Sequence, residues 1–342
     1  MNDDILGFIH GWVEKLSRKL DKLYVVCLSK GEHHLPQNIE IFSLGKERGY
    51  SKLRQLWRLE KFLFKKLPEV DGVFAHMCPI YAVASIPLAK IFRKKIVLWY
   101  AHYKDSFLLK LASLGVDQVV TSIKGACKIK TKTVKALGQG IDTERFKPDT
   151  QKNAPEIKLL FLGRVTPVKN LEILIEALSL LEKRDHPPFI LNIVGEPSLE
   201  NYRPYFEKIK ERVKELNLEN CVNFLGKVPH HLTQEIYSQH DIFINLTASY
   251  SFDKTTLEAM ASGLLVLVSN RVFEEIFPES WQKFLMFQER DAADLAKKLF
   301  YLMKLPEKER DEIGLRLREI VVKDHNLDNL VQKLSDIFYE PR

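Results

Sequence analysis

Apolar runs in this chain are short. None approaches the roughly 18 residues that a membrane-crossing helix needs, and no secretory leader is recognisable, so a cytoplasmic protein is expected. Cysteine is scarce. Cys27, Cys78, Cys127 and Cys221 are scattered without paired spacing, which excludes a zinc motif or a disulfide frame and predicts reduced, mostly buried thiols. Asp-x-Asp never occurs, and no group of His and carboxylates stands at ligand spacing, so no metal site is expected. Low apolar content, the mark of disorder, is also missing: 45% of residues are apolar and 28% charged, as in an ordinary globular protein.

A chain of 342 residues is too long for one ordinary core and suits two domains of roughly 150 residues each. Charge divides unevenly between them. Residues 1–149 hold 26 Lys and Arg against 15 Asp and Glu, a balance of +11; the remainder holds 26 against 30, a balance of −4. Halves of opposite sign point to different partners.

Strand-like and helix-like patterns alternate. Strands are expected at Leu23–Leu28, Ile39–Ser43, Gly72–His76, Ile96–Ala101, Gln118–Thr121 and Val134–Ala136, with helices at Ser51–Lys66, Ile80–Phe92 and Ser106–Leu114. The second half repeats the scheme. Its strands are Lys158–Leu162, Ile190–Val194, Val222–Leu225, Asp241–Asn245, Leu265–Val268 and Phe284–Met286; its helices are Leu171–Leu181, Tyr202–Leu216, Leu232–Gln239, Thr255–Ala261 and Asp291–Leu302. This alternation predicts an α/β protein with parallel sheets covered on both faces. Polar, Pro-bounded residues 140–155 suit a linker.

The most informative stretch runs from Leu159 to Leu178. A strand-like apolar run, Leu159–Leu162, ends at Gly163. A turn bearing Arg164, Pro167 and Lys169 follows. Asn170 then stands at an N-cap position before Leu171, Leu174, Ile175 and Leu178 at helical spacing. A helix N-terminus beside two cations is suited to an anion such as phosphate; a plain strand–helix unit with solvated cations reads equally well from spacing alone.

Gly163-Arg164 with Lys169-Asn170 resembles the Gly-Arg-x-x-x-x-Lys-Asn turn of retaining glycosyltransferases of the GT-B fold, family 4 (glycosyltransferase group 1). Residues Gly138 to Pro148 resemble the linker of that family, and Leu257-Glu-Ala-Met-Ala-Ser-Gly263 its acidic donor-binding helix. The resemblance implies two Rossmann-like domains facing a cleft: an N-terminal acceptor-side domain over 1–148 and a nucleotide-sugar-binding domain over 149–323. A C-terminal helix over 324–342 crosses back to the first. Family members begin with a buried strand that has no counterpart before Asp3-Asp4, so the first strand of the N-terminal sheet is expected to be missing, leaving a gap or a closed-up sheet.

The resemblance also implies roles. Arg164 and Lys169 stabilise the departing diphosphate, Glu258 receives the ribose hydroxyls, and Lys227 and Val228 lie by the nucleobase. Gly7, Gly163 and Gly195 let backbone approach the donor. A second Glu that the family carries eight residues before Glu258 is replaced by Tyr250. The segment Ser251-Phe252-Asp253-Lys254 resembles one branch of the family and is expected to reach sugar or phosphates; for Asp253 and Lys254 a capping role weighs equally. His102, closing the apolar run from Ile96, stands where the family has a His near the transferred sugar. His76 is read as structural or acceptor-side.

Lys46–Lys66 interleaves cations with Leu53, Trp57 and Phe64, which suits an anionic membrane surface as well as a solvated basic helix. No nucleic-acid motif accompanies the charge, so no nucleic-acid partner is expected. The expectation is a metal-independent, retaining transferase without a cofactor, moving sugar from a UDP- or GDP-sugar to a glycan or lipid-linked acceptor. It would work in the cytoplasm or on the inner membrane face. The alternatives are a catalytically impaired binding protein of the same fold, an epimerase, or a phosphorylase.

Overall fold

The computed structural model describes residues 7–102, 104–129, 134–148, 156–248 and 253–340. The chain divides into two compact units, Met1–Gly140 with Asp324–Arg342, and Ile141–Lys323. The division falls at 140/141, ahead of the expected 148/149, because Ile141 and Phe146 are buried in the core of the second unit.

The first unit contains α1 (Gly7–Ser17), β1 (Leu23–Cys27), β2 (Ile39–Ser43), α2 (Lys52–Lys66), β3 (Gly72–His76), α3 (Pro79–Ile91), β4 (Lys95–Trp99), α4 (Phe107–Gly115), β5 (Gln118–Thr121) and β6 (Val134–Ala136). The second contains β7 (Ile157–Leu162), α5 (Leu171–Leu181), β8 (Phe189–Val194), α6 (Arg203–Glu215), β9 (Val222–Gly226), α7 (Thr233–Ser238) and β10 (Ile242–Asn245). It continues through α8 (Lys254–Ala261), β11 (Leu265–Val268), α9 (Glu279–Leu285), α10 (Ala292–Lys304) and α11 (Glu307–Asp324). The last helix, α12 (Leu327–Tyr339), belongs to the first unit.

All strand pairs of the first unit are parallel, but they form two sheets, β1–β2 and β3–β4–β5–β6. Among the described residues no strand joins β1 to β3, which is where the expected gap falls; residues 1–6, on which it also bears, lie outside them. Burial follows pairing. Every residue of β4, in the middle of its sheet, is buried, and every residue of β1 is partly exposed. Helices α2, α3 and α4 cover one face and α1 and α12 the other. Ser51 and Ser106 start α2 and α4 by accepting N–H bonds from Arg54 and Leu109. Helix α12 is anchored at both ends: Asn326 accepts from the Asp328 and Asn329 amides, and the Lys95 ammonium donates to the Ile337 and Glu340 carbonyls at 2.5 and 2.6 Å.

His325, just ahead of α12, is 5% exposed. Its Nδ1 accepts the Gln139 N–H at 3.2 Å, a bond only the neutral ring can make. Burial pushes its pKa down to about 4, with Lys333 reinforcing and Asp324 opposing. The folded value lies below the unfolded one, so this contribution is whole above the ordinary histidine range and is lost as pH falls toward the folded value. The shift corresponds to ~3 kcal/mol. Urea midpoints should fall on acidification, and fall less in His325→Gln, which takes up no proton.

The second unit is one five-stranded parallel sheet in the order β11–β10–β7–β8–β9 over a single core. Strand β7 starts the unit and lies in the middle, with β8 on one side and β10 on the other. The strand order therefore reverses direction between β7 and β10. Phe284–Met286, expected as a strand, is helical up to Leu285; only Met286 makes a lone bridge to Val268. An apolar triplet is too short to set a period, and the start after Pro278 decided for helix. Helix α11 was not anticipated. Its Gly314 presses on Gly263 so closely that a Cβ there would lie 2.1 Å from the Gly263 carbonyl oxygen. The four scattered thiols are unbridged, but the expectation that they are mostly buried fails: only Cys127 is buried, Cys27 and Cys221 are half-buried, and Cys78, just ahead of α3, is exposed. Partial desolvation raises the pKa of the Cys221 thiol to about 11.

Candidate active site

In open α/β sheets, ligand groups collect at the carboxyl ends of the strands where strand order reverses. Here that place is at the carboxyl ends of the neighbouring strands β7 and β10. The turn after β7 carries Gly163, Arg164 and Lys169; the segment after β10 carries Thr247 and leads to Asp253 at the start of α8.

Backbone bonds lace these loops together. Gly163 N–H donates to the Val194 carbonyl at 3.0 Å, Val165 N–H to that of Glu196 at 3.0 Å, and Gly195 N–H to that of Gly226 at 2.7 Å. Gly195 has φ +140°, and a Cβ there would lie 1.9 Å from the Gly163 carbonyl oxygen. Gly195→Ala should therefore lower stability by about 2 kcal/mol or more, read as the urea midpoint. Gly31→Ala, with nothing within 4 Å of its Cβ, is the matched control and should be near neutral.

The two cations of the turn have different surroundings. Arg164 is exposed and makes no hydrogen bond or ion pair to any described residue. Lys169 folds back over Gly163 and donates to Thr247 Oγ1 at 2.8 Å and to Asp253 Oδ2. Lys169 and Asp253 side chains are only 15% and 13% exposed. Burial alone would raise the Asp253 carboxyl, but the Lys169 ammonium and bonds from Lys169, Thr255 and Thr247 outweigh it and hold the carboxyl well below its usual range. Asp253 also caps α8, its Oδ1 accepting the Thr255 N–H at 3.3 Å and hydroxyl at 2.8 Å. Asn245 continues the network, donating to Thr256 Oγ1 at 2.7 Å and accepting the Thr247 N–H at 2.8 Å.

Two expectations for the turn need correction. Asn170 stands at the N-cap position of α5 but in a left-handed conformation, φ 47°, without a capping bond; its side chain donates to the Leu246 carbonyl at 3.0 Å and ties the turn to β10. Nor is the first amide of α5 free for an anion, since Leu171 N–H donates to the Tyr205 hydroxyl at 3.0 Å.

Further along α8, Glu258 is 4% exposed, not on an open helix face. Its Oε2 accepts from the Tyr237 hydroxyl at 3.2 Å, and its Oε1 lies 3.3 Å from His230 Nε2. Arg145 closes the cluster, 3.4 Å from His230 Nδ1 and donating to the His230 carbonyl. A guanidinium can only donate, so Nδ1 accepts and Nε2–H donates to Glu258. Phe146 packs edge-on against both His230 and Tyr237. Lys254, one turn before Glu258, has its pKa pushed down to about 8 by burial and by Arg145, with Glu258 and Asp142 opposing. The sequence reading missed Arg145, His230 and Tyr237. Arg145 stood inside the quoted linker segment, but nothing local marks a histidine that meets a carboxylate 28 residues away.

The remaining candidates belong to other elements. Lys227 is exposed, and Val228 packs half-buried on the core beyond β9. Gly7 opens α1, and His102 follows β4 in the first unit. His102 is exposed, bridges to Cys127, and accepts the Lys104 N–H at Nδ1, 2.9 Å. His76 is packed against Trp12 and Trp99. Phe252 and Tyr250 lie outside the described residues.

A family model described as glycosyl transferases group 1 matches residues 142–318, just over half of the chain. The chain belongs to this family. The match spans the second unit almost whole, with the turn, the Asp253 cap and the Glu258 helix inside it. Mannosylfructose-phosphate synthase of Agrobacterium fabrum is 31% identical over 41% of this group 1 chain and 33% of its own length. Alpha-monoglucosyldiacylglycerol synthase of Streptococcus pneumoniae is 24% identical over 60% and 47%. The chain thus spans a third to a half of the length of these two curated relatives. Among solved structures, Anabaena Alr3699/HepE in complex with UDP superposes with a TM-score of 0.79 over 99% of this chain and 98% of that one, at 18% identity. The fold is that of the GT-B glycosyltransferases, with two α/β domains built on parallel sheets.

Proposed function

We propose that this chain is a metal-independent, retaining glycosyltransferase of family 4 that takes its sugar from a UDP- or GDP-sugar. One observation carries the reading: at the point where strand order reverses, one turn presents an exposed Arg164, bonded to no described residue, beside a Lys169 already held in place. Breaking the bond between the anomeric carbon and the diphosphate leaves negative charge on the leaving group, and preorganised cations stabilise that charge. Arg164 meets the phosphates bidentately. Lys169 is aimed by Thr247 and Asp253, and an arriving diphosphate shares its ammonium with Asp253. Gly163 and Gly195 put no side chain of their own between backbone and donor, and Glu258 has acceptor positions left for ribose hydroxyls beyond the two that Tyr237 and His230 occupy. Lys227 and Val228 flank the base; Phe252, Asp253 and Lys254 form the donor loop, and Gly7 and His102 serve from the acceptor-side domain. The acceptor attacks from the face the leaving group departs from, and the departing phosphate takes its proton.

The relatives support this class: they are named as synthases, and HepE binds UDP. The acceptor is a glycan or a lipid-linked sugar, with Lys46–Lys66 toward an anionic membrane face in the cytoplasm. Tyr250 in place of a family Glu favours a binding-only protein as the second reading. A thermal-shift screen of UDP, GDP, ADP and their sugars, followed by transfer of labelled sugar, separates the two. A ligand at about a hundred times its Kd should add ~2.7 kcal/mol. Stabilisation without transfer or hydrolysis favours the second reading, and no stabilisation by any nucleotide overturns both.

A further inference from the structure

The outer face of the α2–α3–α4 layer exposes apolar side chains that its core does not use. Helix α4 is the extreme case. Leu109 and Ala112 are buried beneath it, while Phe107 is 78% and Leu114 83% exposed, and Leu108 and Leu111 are also in water. Lys110 is the only charged residue in the helix. On α2, Leu53 and Trp57 are 80% and 61% exposed, with the Lys61 ammonium 5.2 Å from the Trp57 ring. Helix α3 packs against both neighbours, so the two apolar faces belong to one layer.

We propose that this face docks on an anionic lipid bilayer, with Phe107 and Leu114 of α4 entering the acyl region and the cations of α2 on the headgroups. Charge supplies the first reason. Residues 46–114 hold 14 Lys and Arg against 5 Asp and Glu, a balance of +9, more than the +7 of the whole chain. The positive charge is therefore concentrated in the segment that bears the exposed apolar groups. The second reason is composition. Protein–protein contact surfaces are depleted in lysine, whereas this one alternates lysine with Leu, Phe and Trp, the pattern of helices lying in a membrane interface. No described helix is long and apolar enough to cross a membrane, so contact is lateral. The proposal adds α4 to the basic stretch Lys46–Lys66 and does not depend on sugar transfer.

Cosedimentation with phosphatidylcholine vesicles, with and without phosphatidylglycerol, tests it on the full chain. Binding should require phosphatidylglycerol and weaken with salt. Phe107→Ser with Leu114→Ser should weaken it about tenfold or more while leaving the melting temperature unchanged, because both residues are exposed. Lys61→Glu with Lys65→Glu should weaken it as well. Absence of binding to phosphatidylglycerol vesicles at low salt overturns the proposal. So does binding that the α4 variant leaves intact, or self-association in gel filtration that the α4 variant abolishes without any vesicle binding.

Discussion

Lys169→Met is expected to destabilise the protein by about 3–5 kcal/mol, because it leaves the Asp253 carboxylate mostly buried without its cation. The loss should register as a lower urea midpoint at neutral pH. Adding Asp253→Asn should recover much of it, since no unpaired charge then remains, so the two substitutions should be strongly non-additive. The pH dependence has a definite sign. In the native protein the Asp253 carboxyl is held below its usual range, so its contribution is present above the ordinary carboxylate range and is lost as pH falls through the depressed value. In Lys169→Met the ammonium is gone and only the Thr247 and Thr255 bonds oppose burial, so the carboxyl moves up from its depressed position and less stability is lost on acidification. The gap between native protein and variant should narrow as pH falls. A gap that stays constant or widens would show that the ion pair does not set the stability of this turn.

Arg164→Ala, five residues earlier, is expected to behave in the opposite way. Its side chain is exposed and bonds to no described residue, so stability should change by no more than about 0.5 kcal/mol. Turnover with the donor found by the thermal screen should fall about a hundredfold or more, a cost of roughly 3–4 kcal/mol for removing a group that stabilises developing charge. An unchanged turnover number would remove Arg164 from the mechanism. The contrast within one turn is itself informative: among the described residues one cation is paired and the other is not.

The strands of the second unit were readable because a strand buried on both faces appears as a near-continuous apolar run, as in Leu159–Leu162 and Leu265–Val268. Phe284–Met286 has the same composition and is helical up to its last residue, since three residues carry no period. Helix α11 escaped notice because charged residues dominate it and its small buried set, Gly314, Leu317 and Val321, includes a glycine. The candidate site divides in the same way. Gly163, Arg164 and Lys169 were legible as a turn because they are adjacent in the chain. The partners Asp253 and Thr247 lie about eighty residues further on, while Tyr237 and His230 meet Glu258 from 21 and 28 residues earlier, with Arg145 bonded to His230.

By itself the chain of residues determined the alternation of strand and helix, the kind of side chain in each turn, and the collection of positive charge between residues 46 and 114. Those are properties of short windows, set by backbone preference and the need to bury one face. Tertiary structure alone decided that Lys169 is neutralised by Asp253 while Arg164 is exposed and pairs with no described residue, that Glu258 is enclosed, and that the apolar surplus of α4 shares a layer with the cations of α2. Electrostatic pairing and desolvation depend on distances between groups remote in the chain, and those distances exist only once the sheet has brought its strand ends together.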